Sequence, residues 1–299
     1  MADRPHGNLP DRAAEPGGPI DVASVPDAAA RARLTRRSRT TRNERSVTLG
    51  LKFASYASLV LLWLGLSLAL GSNVLPGPLD TLAFIVREFE RGAMTHHLWI
   101  TTQRVLVAFA SAMVVGVTAG AAMGASKRFD ASFEGWLITG LTVPRILLFV
   151  VAYLLLGLSD RALVIALIVT VVPTVVVSVR EGTRAIDGGL VEMARAFRRS
   201  RAATWRHVVL PQIMPYIVGT ARGVLALSWK MVVLGELLGR TSGVGYQISF
   251  YFQFFNMRGI LAYGVTMMVL LAIIDLVLMG WLQRRVFRWR APVKVGAPG

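Results

Sequence analysis

The sequence alternates between long apolar runs and short, strongly basic segments. Apolar runs of membrane-spanning length lie at about 52–71, 98–124, 134–157, 162–179, 215–238 and 259–282. About 20 apolar residues carry a helix across a hydrocarbon core. Backbone amides in lipid must be satisfied within their own segment, so each run predicts a helix. The predicted fold class is therefore all-α: an integral membrane helical bundle of about six transmembrane helices. The first run is longer than the apolar part of a signal peptide and follows a long tail, which predicts a retained helix. The third run is interrupted by Pro144-Arg145, and the fourth carries Pro173, a predicted kink. After the first run, Leu75-Pro-Gly-Pro-Leu-Asp80 breaks the chain. Asp80 or Thr81 is placed to cap a short helix on the outer membrane surface, with Leu82, Ile85, Val86 and Phe89 on one face. In the second run Ala108, Ala112, Gly116, Gly120 and Gly124 recur every four residues. That stripe predicts close helix packing.

The polar segments divide the chain into a basic tail at 1–50, a transmembrane domain at 51–290 with a large polar loop at 180–214, and a second tail at 291–299. Residues 1–49 carry nine arginines and no apolar stripe, which predicts disorder. Their Arg31–Arg45 run reads as a topology signal or as a contact for anionic headgroups. Lys and Arg are very unevenly distributed: segments 1–52, 125–133, 180–214 and 283–299 hold 24, against 5 in 72–97, 158–161 and 239–258. The positive-inside rule then predicts a multi-pass protein of the cell inner membrane with both termini and the 180–214 loop cytoplasmic.

That distribution also accounts for the net charge of +16, so no nucleic-acid partner is expected. The chain has no cysteine, and its four histidines form no HExxH pattern, so neither thiol chemistry nor a metal site is expected. It contains no Gly-Lys dipeptide and hence no phosphate-binding P-loop. An intramembrane enzyme would need a GxSxG elbow or a metal-binding pair, and none is present. A stand-alone secondary transporter would need more spans or a repeat. No catalytic residue is expected.

A charge near the middle of a span costs about 2.5–3.5 kcal/mol on insertion scales, so each needs a partner or a role. Arg145, Lys230, Glu236 and Asp275 are in that position, with Arg104 and Arg222 nearer span ends. Lys230 and Glu236 are six apart, which favours partners on other helices. Arg145 could face an anionic solute, pair with Asp275, or reach a headgroup. Arg145, Lys230 and Glu236 are the candidate substrate-path residues.

The 180–214 loop is patterned beyond the needs of a connector. Met193 and Phe197, four apart, share one helix face, with small Ala194 and Ala196 beside them. Glu192 is expected near the helix start, where the dipole favours a carboxylate. Arg195, Arg198, Arg199 and Arg201 ring the rest, and Pro211 and Pro215 set how the next span departs. An apolar knob with a charged rim suits insertion into a protein groove. The same amphipathicity suits a helix lying on headgroups.

Glu192-Met-Ala194, followed by Val208-Val-Leu-Pro211 and Pro215, resembles the Glu-Ala-Ala loop of bacterial ABC importer permeases. Leu75-Pro-Gly-Pro-Leu-Asp80, Thr102-Gln-Arg104-Val and Ser242-Gly-Val-Gly-Tyr-Gln-Ile248 are similar to the nitrate, sulfonate and taurine permease type, and the resemblance covers about residues 72–285. It implies the type I importer permease fold, with Glu192, Met193, Ala194, Phe197, Arg198 and Pro211 coupling to an ATPase. It implies two cytoplasmic ABC ATPase subunits, a second permease copy forming a homodimer, an extracytoplasmic solute-binding protein, and membrane lipids around the assembly. The chain itself would bind no cofactor; ATP would be hydrolysed by the partner subunit, whose closure would push on a 191–206 helix and tilt the spans. The implied solute is a small anion: a sulfonate, nitrate or an organic acid. Two departures stand out. Arg198 occupies the family's usual glycine position, which implies a continued helix or a different exit angle. Thr142-Val-Pro-Arg-Ile-Leu-Leu-Phe149 replaces the family's Pro, Trp and Pro pattern.

Overall fold

The computed structural model describes residues 50–279. The expected tails at 1–49 and 291–299, and the terminal arginine cluster, lie outside the described residues. Those residues are helical, with no strand among them. The chain divides into two compact units within its first helix, at Leu62 and Trp63. That helix, α1, spans Gly50–Leu70. In the first unit its large apolar side chains, from Leu51 and Phe53 to Leu61 and Leu62, are exposed.

The second unit opens with the last turns of α1, tied to the turn that follows it. Trp63 Nε1 donates to Pro76 O at 3.1 Å and Ser67 Oγ to Leu75 O at 2.8 Å. Helix α2 is Pro78–Glu90, starting from Gly77 with Pro78 in its first turn, where no N–H is needed. Neither Asp80 nor Thr81 caps it, as the sequence had suggested; Thr81 instead donates to Gly77 O at 2.9 Å. Of the expected apolar stripe, Leu82, Val86 and Phe89 are exposed, and the buried edge carries Thr81 and Glu88.

Helix α3, Ala93–Ala125, has 33 residues. At 1.5 Å per residue it is about 50 Å long, well beyond the hydrocarbon thickness. It runs parallel to α6, Asp160–Arg184, and the small-residue stripe is the reason they fit. A Cβ added at Gly116 would stand 2.5 Å from that of Val175, and one at Gly120 would stand 2.8 Å from Val176 O; Gly124 meets Thr183. Ala108 and Ala112 on the same stripe are fully buried, as the close-packing reading requires.

Between these parallel helices the chain returns through α4, Lys127–Thr142, and α5, Arg145–Leu156. Lys127 and Arg128 open α4 behind the Ser126 cap. Val143 is extended, as a residue before proline should be, and α4 and α5 meet at 97°. The expected third span is thus a bent pair, so five described helices are long and apolar enough to cross a membrane, or six if the pair counts as one crossing. Pro173 lies inside α6 with its ring against Gly140.

Helix α6 extends five residues into the expected loop. Then follow α7 (Gly188–Ala196), α8 (Arg201–Thr204), a π-helical turn (Trp205–Val209) and α9 (Leu210–Gly239), which runs antiparallel to α3 and α6. The expected outer segment holds α10, Val244–Gln253, before α11, Met257–Ile274. The core of this unit lies where α3, α5, α6, α9 and α11 meet: Val105, Phe149, Leu163, Leu167, Trp229 and Tyr263 are almost fully enclosed.

Candidate functional site

The segment between α6 and α9 is held from both sides. Asp130 of α4 pairs with Arg180 at 3.2 Å and with Arg184, fixing the end of α6. Asp187 caps α7 by accepting from Gly189 N at 2.8 Å. Its own N–H donates to Gln212 Oε1 at 2.9 Å, and Gln212 Nε2 donates to Val208 O at 3.0 Å. These bonds brace the start of α7 against the start of α9. Sequence reasoning missed Asp130 and Asp187, although Asp187 before a pair of glycines is a legible cap signal.

Several expectations about this segment are corrected. Helix α7 begins at Gly188, so Glu192 lies beyond the first turn, exposed, and gains little from the dipole. The helix ends at Ala196, so no single helix spans 191–206. Phe197 is its C-cap, and Phe197 and Met193 stand 74% and 51% exposed, while Ala194 is buried. Arg198 neither continues the helix nor changes the manner of its ending: it takes the left-handed conformation itself, at φ 50°. Arg198 N donates to Arg195 O at 2.9 Å and Arg199 N to Ala194 O at 3.1 Å. That pair of bonds is the Schellman ending, in which glycine is usual.

Ser200 then caps α8, and the chain runs into α9 as one continuous helix from Arg201. Pro211 and Pro215 therefore do not set off the span by breaking it. Pro211 lies in the first turn of α9 directly after the π turn, whose wider spacing eases the missing proline N–H. A cavity of about 560 Å³ separates α7 from this helix, lined by Met193, Phe197, Arg199, Thr204, His207 and Val208. The result is an exposed two-residue apolar knob, a basic rim and an adjoining hollow.

At the other end of the unit, the ionisable residues form a buried clasp. Glu236 is fully enclosed and Arg104 is 5% exposed. Arg104 Nη1 reaches Glu236 Oε1 at 2.6 Å and Ser242 O at 2.7 Å; its Nε donates to Asp160 Oδ1 at 2.8 Å. Arg240 joins Asp160 at 2.9 Å. The 243–245 turn presents three successive N–H groups to side chains from other helices. Gly243 donates to His97 Nδ1 at 3.1 Å, Val244 to Thr101 Oγ1 at 2.9 Å, and Gly245 to Glu236 Oε2 at 2.9 Å. These are the open donors of the α10 N-terminus. Gly243 has φ 106°, and a Cβ there would strike the Glu236 carboxylate, so this glycine is dictated twice over. Nearby, Tyr263 donates to Glu88 at 3.1 Å. Burial, and then Glu88, push the Tyr251 phenol on α10 above its usual range.

The candidate path residues are not brought together. Glu236 has an inter-helix partner, as its spacing from Lys230 suggested, and that partner is Arg104. Asp275 is taken by Arg222, at 2.7 and 2.6 Å, so the Arg145–Asp275 pairing is excluded. Arg145, at the α5 start beside the bend, and Lys230 on α9 are exposed and make no ion pair among the described residues.

Known proteins share this arrangement in sequence and in fold. A family model described as the binding-protein-dependent transport system inner membrane component matches residues 112–288. The chain is 26% identical over 248 residues to the probable ABC transporter permease of Brucella abortus, covering 83% of this chain and 98% of that one. It is 24% identical to the nitrate import permease of Synechococcus elongatus, over 76% of this chain and 83% of the relative. It is 23% identical to the taurine transport system permease of Escherichia coli, over 69% and 74%. Among solved structures, an inward-facing MetNI methionine ABC transporter aligns with a TM-score of 0.56 at 20% identity, over 68% of this chain and 98% of that one. That likeness shows a shared fold.

Proposed function

Because the chain belongs to the binding-protein-dependent transport system inner membrane component family, we propose that it forms, with a second copy of itself, the path by which an ATP-driven importer admits a small anion. Family membership makes it a transport component of the inner membrane and not an enzyme, and implies an ATPase and a binding protein as partners. The remaining assignments are our reading.

The observation that carries this reading is the exposed Met193–Phe197 knob beside a basic rim and a hollow. Apolar side chains exposed at a loop end mark a contact surface, and a knob with a charged rim suits a protein groove. Glu192, Met193, Phe197, Arg198 and their neighbours dock in a groove of the cytoplasmic ATPase, which binds and hydrolyses the ATP. Gln212, which accepts from the N-cap residue of α7, carries a push on α7 into α9. Both termini and this segment face the cytoplasm, by the basic asymmetry of the sequence.

The anionic solute is supported by the nitrate and taurine relatives and by the sign of Arg145 and Lys230, exposed and without ion pairs among the described residues. A fixed positive charge lowers the cost of an anion in a low-dielectric path. Glu236, enclosed by its partners, holds the α10 turn in place and touches no solute. The test is uptake of nitrate, sulfonates and aromatic carboxylates by the assembled complex, with Arg145→Gln and Lys230→Gln beside the parent. Loss of anion uptake at normal protein level is expected. Uptake of neutral or cationic solutes alone would refute the solute class. Labelling of Arg199→Cys from outside the cell would refute the orientation.

A further inference from the structure

A second built feature lies away from both the α7 knob and the Glu236 clasp. A cavity of about 490 Å³ opens between the turn after α1, the side of α2 and the α10–α11 junction. Arg87 and Arg258 both line it, neither has an ion-pair partner among the described residues, and no lining residue is acidic. Arg87 sits 6.0 Å from the centre of the Phe84 ring, which also lines the cavity. Ser72 and Asn73 add uncharged hydrogen-bonding groups.

The opposite wall is apolar and oddly built. Phe254 and Phe255 line the cavity and stand 68% and 89% exposed, with Phe252 beside them at 65%. Phe255 takes the left-handed conformation at φ 51°. Its N–H donates to Phe252 O at 3.0 Å, and Asn256 N donates to Tyr251 O at 2.9 Å, a second Schellman ending without glycine. A bulky side chain there is a steric cost that local structure does not demand. The strain holds an aromatic ring outward at the start of α11, a span-length helix, and near the end of α1, another. That places it at the membrane–water boundary, where amphipathic aromatic surfaces and arginines collect.

We propose that this cavity is a binding site for an anionic phospholipid, its phosphate held by Arg87 and Arg258 and the upper part of an acyl chain laid along Phe254 and Phe255. Guanidinium groups match phosphate oxygens in a forked, charge-assisted geometry. The absence of a lining carboxylate sets the headgroup preference. A zwitterionic headgroup would bring a cation to two unpaired guanidiniums, whereas phosphatidylglycerol brings only negative charge. The exposed phenylalanines favour a lipid over a free anion, because a soluble anion leaves that apolar wall uncovered.

The test is native mass spectrometry of the delipidated full chain in detergent, titrated with phosphatidylglycerol and with phosphatidylcholine of the same acyl chains. One phosphatidylglycerol is expected to bind at least about tenfold more tightly than phosphatidylcholine, the factor that one lost charge-assisted contact gives. Arg87→Gln with Arg258→Gln should remove that preference, while Arg128→Gln on α4 should keep it. If the double variant fails to fold, the single variants and the Arg87→Lys/Arg258→Lys pair are read in the same titration. Lysine should then retain part of the headgroup preference. Equal binding of the two lipids, or unchanged phosphatidylglycerol binding in the glutamine variants, would overturn the proposal. Displacement of the lipid by millimolar inorganic phosphate or ethanesulfonate would assign the cavity to a soluble anion instead.

Discussion

Replacing Glu236 by glutamine keeps the shape of the side chain and removes its charge. In the folded chain that carboxylate accepts from Arg104 at 2.6 Å, Gly245 N at 2.9 Å and Thr101 at 3.0 Å, with no exposure. The amide offers one acceptor oxygen where the carboxylate offers two, so its NH₂ group must face one of those donors. Arg104 keeps Asp160 at 2.8 Å, which limits the damage. Weakening two charge-assisted bonds in a closed site gives a loss of about 2–4 kcal/mol. Arg104→Met is more severe, about 3–5 kcal/mol, because it leaves a buried carboxylate without its counter-charge. In the Arg104→Met/Glu236→Gln double variant the losses should fall short of their sum by about 2 kcal/mol, the signature of direct coupling. Detergent-solubilised protein titrated with SDS and followed by tryptophan fluorescence gives these differences. Uptake should decline only in proportion to folded protein, since Glu236 is assigned to the turn and not to the path. A Glu236→Gln variant within about 0.5 kcal/mol of the parent, or strictly additive singles, would refute the reasoning.

Three further changes have different signs. Arg198→Gly should raise stability by about 1 kcal/mol, because glycine takes the left-handed position without steric cost; a lower unfolding midpoint would contradict the helix ending described. Phe197→Ala should weaken recovery of the ATPase by about tenfold or more, as loss of an aromatic hot spot does, with membrane insertion unchanged; co-purification measures it. Gly120→Leu should prevent α3 and α6 from closing and cost at least about 3 kcal/mol, since the clash is with backbone as well as a side chain; folded yield on size exclusion reports it.

Apolar run length and basic asymmetry made the all-helical membrane class legible, because the bilayer imposes both directly on sequence. The α3 stripe was legible for the same kind of reason: a four-residue repeat of small side chains is a property of one helix. What escaped was whatever depended on distant partners. Asp130 meets Arg180 across 50 residues and Arg104 meets Glu236 across 132. No local pattern announces such pairs, so Glu236 read as a path residue and Arg104 as a span-end charge. The 97° bend was only half visible: Pro144 forecast a break, but its angle comes from how α5 packs on α6. Arg198 misled because glycine preference is a matter of cost and not of permission.

The parallel run of α3 and α6 also constrains how this molecule can work as a machine. Two neighbouring rods pinned at both ends cannot slide past one another. Arg104 and Asp160 fasten one end, and Gly116, Gly120 and Gly124 mesh with Val175, Val176 and Thr183 toward the other. A slide of α6 along α3 would also part Arg104 from Asp160, which meet at 2.8 Å. The pair is a beam, so if the proposed importer works by alternating access, the displacement falls to parts hinged to it. The α4–α5 elbow, which rejoins the two ends of the beam across a sharp corner, is one such part. On the proposed coupling, a push at α7 would meet a pair that moves as one body and does not shear.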